Sequence, residues 1–153
     1  MAHTGTQLEV EDWVRREWML HKYGQQFHRE RVKLAPGGVF DFDAVSADGG
    51  TVASISTSGA RTASGKLAVG KFHKIRSDMY FLLLAEAKKR LALLTEKDMY
   101  EQCLKEAGAG RVPTSIEFAH VELPAELDAR LRQSRGAASK EVSPPRDTTP
   151  DAP

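Results

Sequence analysis

The stretch that most constrains this chain runs from Gly38 to Ser58, GVFDFDAVSADGGTVASISTS. Apolar and polar residues alternate from Val39 to Val45. That puts Phe40 and Phe42 on one side of a strand and Asp41, Asp43 and Val45 on the other. Ala47-Asp48-Gly49-Gly50 supplies the positive φ that a tight turn needs. Thr51 to Thr57 follows, rich in the β-branched residues that favour strands, with Val52, Ser54 and Ser56 on a shared face. A hairpin built this way brings Asp43 towards Ser54 and Ser56 wherever the register sets them on a common side.

The rest of the chain supplies elements around this hairpin. Leu8 to Tyr23 reads as a helix, because Leu8, Val10, Trp13, Val14, Trp18 and Met19 recur at mixed three- and four-residue steps, and Gly24 is a stop. Glu17, beside that stripe, is either a solvated partner of Arg16 or His21 or a carboxylate aimed at the hairpin. Phe27 to Leu34 reads as an edge or partly exposed strand, turned into the hairpin by Ala35-Pro36-Gly37-Gly38. A Gly-, Ser- and Thr-rich loop from Ser58 to Leu67 leads to a helix starting at Gly70 or Lys71 and running to about Ala87. Ser77-Asp78 is an alternative, later cap for it. Lys89 to Thr95 has the apolar run of a buried strand, Met99 to Ala107 reads as a helix, Ser115 to Leu123 as a last strand, and Pro124 to Arg132 as a short helix. The expected fold class is a mixed α/β sheet in the order αβββαβαβ: a helix, three antiparallel strands, then a βαβ-type ending. Residues 1–133 are expected to form one domain, and residues 134–153, dominated by Ser, Pro, Thr and Asp, a disordered tail.

Composition removes several classes. A length of 153 residues suits one domain with a real core rather than two. A single cysteine, Cys103, allows neither a disulfide framework nor a thiolate zinc site within one chain, and reads as a small apolar group on a helix. No apolar run approaches the roughly 20 residues that span a bilayer. Met1 to Gln7 is polar and lacks the apolar stretch of a signal peptide, so a cytoplasmic location is expected by default.

The element order and the hairpin resemble the PD-(D/E)XK nuclease superfamily, the restriction-endonuclease-like fold, over roughly Leu8 to Leu123. Members carry an aspartate on the second core strand, an acid-x-lysine on the third, and often a glutamate on the first helix. The resemblance implies that Asp43 takes the aspartate position, Ser54 the second acid, Ser56 the lysine, and Glu17 the helical glutamate. In an active member the two acids bind Mg²⁺, which stabilises charge on the phosphate and acidifies the attacking water, while the lysine positions that water. Here Ser54 has no charge to hold a hard dication and Ser56 is not a cation. Losing both functions costs several kcal/mol of transition-state stabilisation, on the order of what one or two such groups supply. The expectation is therefore a non-catalytic nuclease-like module, without a cofactor, that binds nucleic acid or a partner protein. The alternative is a divergent Mg²⁺-dependent endonuclease using Asp43, Glu17 and a lysine migrated from Lys66, Lys71 or Lys74; Glu86 is a poorer candidate for a migrated acid.

The richest charge feature is Arg61 to Arg76, RTASGKLAVGKFHKIR, which holds Arg61, Lys66, Lys71, Lys74 and Arg76 and no acid, in a chain of net charge +1. It reads either as a solvated loop and outer helix face or as a surface for DNA or RNA phosphates. The resemblance favours the second, and also makes a homodimer an option. Other chemistries fail on spacing. The serines lack a G-x-S-x-G frame, the five histidines lack metal-ligand spacing, and GKLAVGKF misses the Lys-Ser or Lys-Thr of a phosphate-binding loop.

Overall fold

A computed structural model describes residues 5–142. Its first helical element begins as α1 (Gly5–Trp13), continues through a π-helical segment (Val14–Met19) and ends as α2 (Leu20–Tyr23). The strands are β1 (Phe27–Lys33), β2 (Val39–Ser46), β3 (Thr51–Ser56), β4 (Lys89–Leu94) and β5 (Ile116–His120). Between and after them lie α3 (Val69–Leu84), α4 (Lys97–Gly108) and α5 (Ala125–Val142). The strands form one mixed sheet in the order β1-β2-β3-β4-β5, with β1, β2 and β3 antiparallel neighbours and β3, β4 and β5 parallel. The mixed α/β class is as expected. Among the described residues no helix is long and apolar enough to cross a membrane.

The sheet buries both faces. Val52, Ala92 and Leu94 face Ile75, Met79 and Leu82 of α3 and Met99 and Cys103 of α4. Ala53, Ile55, Leu91 and Leu93 face Val10, Val14 and Met19 on the other side, with Leu127 and Leu131 of α5. β4 is buried on both faces, which explains why its sequence is a continuous apolar run rather than an alternation.

The first helix needs its π turn to stay seated. Val10 and Val14 are four residues apart, but the next buried residue, Met19, comes five after Val14. A wider turn absorbs the extra residue and keeps all three on the sheet. Gly24 then ends the helix at φ 69°, its N–H bonded to the Leu20 carbonyl, as the sequence suggested.

The β2–β3 turn is tied by side chains. The Ser46 hydroxyl donates to Asp48 Oδ1 at 2.6 Å, Gly50 N–H donates to the same oxygen at 2.9 Å, and Thr51 N–H donates to Ser46 Oγ at 2.9 Å. Gly49 sits between them at φ 74°, where a Cβ is strained. Gly49→Ala is expected to destabilise the protein by about 1 kcal/mol, read as a lower urea midpoint with an unchanged slope.

Two expectations are corrected. Strict alternation along β2 fails, because Phe42 and Val45, three residues apart, pack into the same cluster. The cause is a β-bulge: His28 pairs with Val45 and Glu30 with Phe42, so Asp43 and Ala44 together stand opposite Arg29. The tail expected to be disordered from Ser134 is helical as far as Val142, since α5 continues well past Arg132. The stretch from Ser134 to Val142 contains no proline, and Arg135, Ala137, Ala138, Lys140 and Glu141 are good helix formers; the prolines come later. Residues 143–153 lie outside the described part of the chain.

Candidate active site

The β2–β3 pairing ends at Ala44, one of the two bulge residues. β2 and β3 pair at Val45–Val52 and Ala44–Ala53; continuing that register, Asp43 stands level with Ser54. There the Ile55 N–H donates to the carboxylate of Asp43, at 2.8 Å. The strands splay around that bond, and a cleft of about 250 Å³ opens beside it. Asp41, Asp43, Phe40 and Phe42 line it from β2, Ala53, Ser54 and Ile55 from β3, Glu11 from α1, and Lys74 and Asp78 from α3. The cleft therefore collects charged side chains from both layers of helices at a gap in the sheet between them.

Each charged group has an identifiable environment. Burial pushes the Asp43 carboxyl above its usual range, while the Ile55 N–H and the cations Lys74, Arg29 and Arg15 pull it back down. Asp78 lies 3.6 Å from Lys74 one helical turn away. Burial raises its carboxyl to about 6; Lys74 opposes the rise and the nearby Asp43 adds to it. Asp41 is held at the rim by Arg29, with contacts of 3.0 and 3.1 Å. Phe40 closes one end by stacking on Phe81, with ring centroids 4.1 Å apart and planes within 9°. Four carboxylates, of which Asp43 and Asp78 repel each other, and the cation of Lys74 around a small gap are an arrangement for handling charge, not for filling a core.

The residues singled out from the sequence separate into two groups. Asp43, Ser54 and Lys74 meet in the cleft. Ser56 lies two residues further along β3, level with Leu94, where its hydroxyl accepts the Ser58 N–H at 3.3 Å, and it does not line the cleft. Glu17 is exposed within the π segment and does not line it either; Glu11, earlier on the same helix, does and is buried. Nothing local marked Glu11, since it falls inside the Val10–Val14 stripe, where the pattern reads as apolar core. Asp78 also went unread, because Ser77-Asp78 looked like a cap. α3 instead runs through it from Val69, and the spacing of Lys74 and Asp78 is that of neighbours on one helix face.

The basic segment does not form one surface. Lys74 turns into the cleft, and Lys71, three residues earlier, continues its stripe along α3. Arg76 instead pairs with Glu106 at 3.5 Å and lies over the Phe72 ring at 4.6 Å. Arg61 and Lys66 are exposed on the preceding loop, where Arg61 donates to the Gly65 carbonyl at 3.0 Å. Cys103 is buried, and burial with Glu106 nearby pushes its thiol up to about 11, which rules out a thiolate nucleophile at neutral pH.

For a metal ion the donor chemistry is specific. Among the described residues no three His, Cys, Asp or Glu side chains are grouped closely enough to cage an ion. Asp43 and Asp78 together offer two hard carboxylates. That suits Mg²⁺, which keeps several waters and takes one or two carboxylates plus substrate phosphate rather than an all-protein cage. Comparison with protein-family models, with curated proteins and with solved structures finds no match to this chain.

Proposed function

We propose that this chain is a divergent metal-assisted phosphodiesterase of restriction-endonuclease-like ancestry, in which α3 supplies the acid and the cation that β3 lacks. The observation that carries the reading is the presence of Asp43, Asp78 and Lys74 in one cleft at the β2–β3 gap. The succession of a helix, an antiparallel three-stranded meander, a helix and a parallel strand also supports it. In this reading Asp78 stands in for the acid absent at Ser54, and Lys74 for the lysine absent at Ser56.

The roles follow from the chemistry of each group. Asp43 and Asp78 would hold the dication, which when bound neutralises phosphate charge and lowers the pKa of water. Lys74 would donate to the attacking water or to a phosphate oxygen, its ammonium kept near the cleft by Asp78 at 3.6 Å. Ser54, buried between them, would act as a neutral hydrogen-bonding neighbour. Lys71 would extend the cationic stripe to an adjacent phosphate of a nucleic-acid strand. Lys71→Ala is then expected to weaken nucleic-acid binding uniformly across sequences. It should also reduce the slope of log affinity against log salt by about 0.7 to 0.9, the release from one phosphate contact.

The test is a cleavage panel on single- and double-stranded DNA and RNA with Mg²⁺ or Mn²⁺, run beside a binding titration. Metal-dependent cleavage is expected. Salt-sensitive binding without cleavage would support a non-catalytic module instead, the reading that Ser54 and Ser56 favour. Neither binding nor cleavage by folded protein would remove both.

A further inference from the structure

Asp43 is held through its backbone as well as its carboxylate. Arg15, in the π segment, donates from Nη1 to the Asp43 carbonyl at 3.0 Å, across 28 residues of chain. Its side chain is only 13% exposed, and its Nη2 also approaches Asp12 Oδ1 at 4.0 Å. Asp12 in turn is held more closely by Arg16, at 3.1 Å. Arg15 lies four residues after Glu11, so both occupy the helix face turned to this end of the sheet.

The carbonyl that Arg15 reaches belongs to the bulge. Asp43 and Ala44 face a single residue of β1, so the ladder is disrupted there. On the other side, the Ile55 N–H goes to the Asp43 side chain. Arg15 brings a side-chain donor from outside the sheet to the carbonyl at this irregular point. The widened turn that seats Met19 and the bulge that turns Asp43 towards the cleft thus meet at one hydrogen bond.

We infer that Arg15 is a positioning residue for Asp43: it fixes the bulge so that the carboxylate stays bonded to Ile55 and directed into the β2–β3 gap. The inference rests on the reading of the cleft as an active site, but its structural consequence is measurable without activity. The experiment is amide hydrogen exchange on the full chain, comparing wild type, Arg15→Met and Arg15→Lys. Ile55 is the reporter and Leu93, in the sheet core, is the control. Arg15→Met keeps the apolar stem and removes the donor. It is expected to speed exchange at Ile55 by about tenfold, the effect of losing one charge-assisted bond, with Leu93 unchanged. Arg15→Lys, which can still donate one bond, is expected to restore most of the protection.

On the best substrate from the cleavage panel, Arg15→Met is expected to lower kcat with little change in KM. Unchanged exchange at Ile55, or equal acceleration at Ile55 and Leu93, would overturn the inference, the latter by showing a general loss of stability. Local acceleration at Ile55 in a protein that cleaves nothing would leave Arg15 as the anchor of Asp43 and count against the proposed function alone.

Discussion

Asp43→Asn is expected to reduce metal-dependent cleavage by about a thousandfold while leaving the fold in place. The carboxamide oxygen can still accept the Ile55 N–H that the Asp43 carboxylate now accepts at 2.8 Å, so the bulge and the splayed strands keep their tie. What disappears is the negative charge. A neutral amide is a weak ligand for a hard dication, and the loss falls on the transition state, where phosphate charge is greatest. Single-turnover cleavage with Mn²⁺, beside circular dichroism and a urea curve, separates loss of chemistry from loss of structure. Stability is expected to hold or rise, because burial already disfavours the Asp43 charge.

Asp78→Asn should show opposite effects on activity and stability. Cleavage is expected to fall about a hundredfold, as the second carboxylate is lost. Stability at pH 7.5, a pH of about one and a half units above the relevant titration, is expected to rise by about 2 kcal/mol. The sign follows from the direction of the shift. Burial raises the Asp78 carboxyl from the usual 3.8 to about 6 in the folded state. Between those values the folded protein binds more protons than the unfolded chain, so this residue's contribution to stability falls as pH rises through the window. Above it, the folded state carries a buried charge that the unfolded chain holds at no penalty. The substitution removes that penalty, so its benefit should shrink as pH falls through the window and vanish below about pH 3, where both states are protonated. Lys74, left without its partner, is well exposed and loses little. Thermal unfolding of wild type and variant between pH 3 and 8 measures this directly. A parallel shift at all pH values would mean that Asp78 is not titrating in the window.

The sequence revealed the sheet better than the site, for a physical reason. Strands β2, β3 and β4 and their turn are encoded locally: β-branched residues, Asp-Gly-Gly, and an apolar run. Asp43 was readable because it lies on that hairpin. Its partners come from elsewhere in the chain, and their arrival depends on packing. Lys74 was foreseen as one of three lysines, but nothing local distinguished it from Lys66 or Lys71. Asp78 was hidden by its resemblance to a cap, and Glu11 by its place within an apolar stripe, where a buried acid is uncommon. The β-bulge and the π turn were invisible in periodicity, since each shifts the phase of a pattern by a single residue. Both shifts act on the site: one turns Asp43 and the other seats the helix that carries Arg15.

The central claim is that α3 provides the cation and the acid missing from β3. The most direct measurement is single-turnover cleavage by wild type and Lys74→Met at saturating nucleic acid, with Mn²⁺ affinity measured in parallel. The account predicts metal-dependent cleavage by wild type and a loss of about a hundredfold in the variant, with Mn²⁺ still bound. Equal rates in the two proteins, or no cleavage by folded wild type, would contradict it.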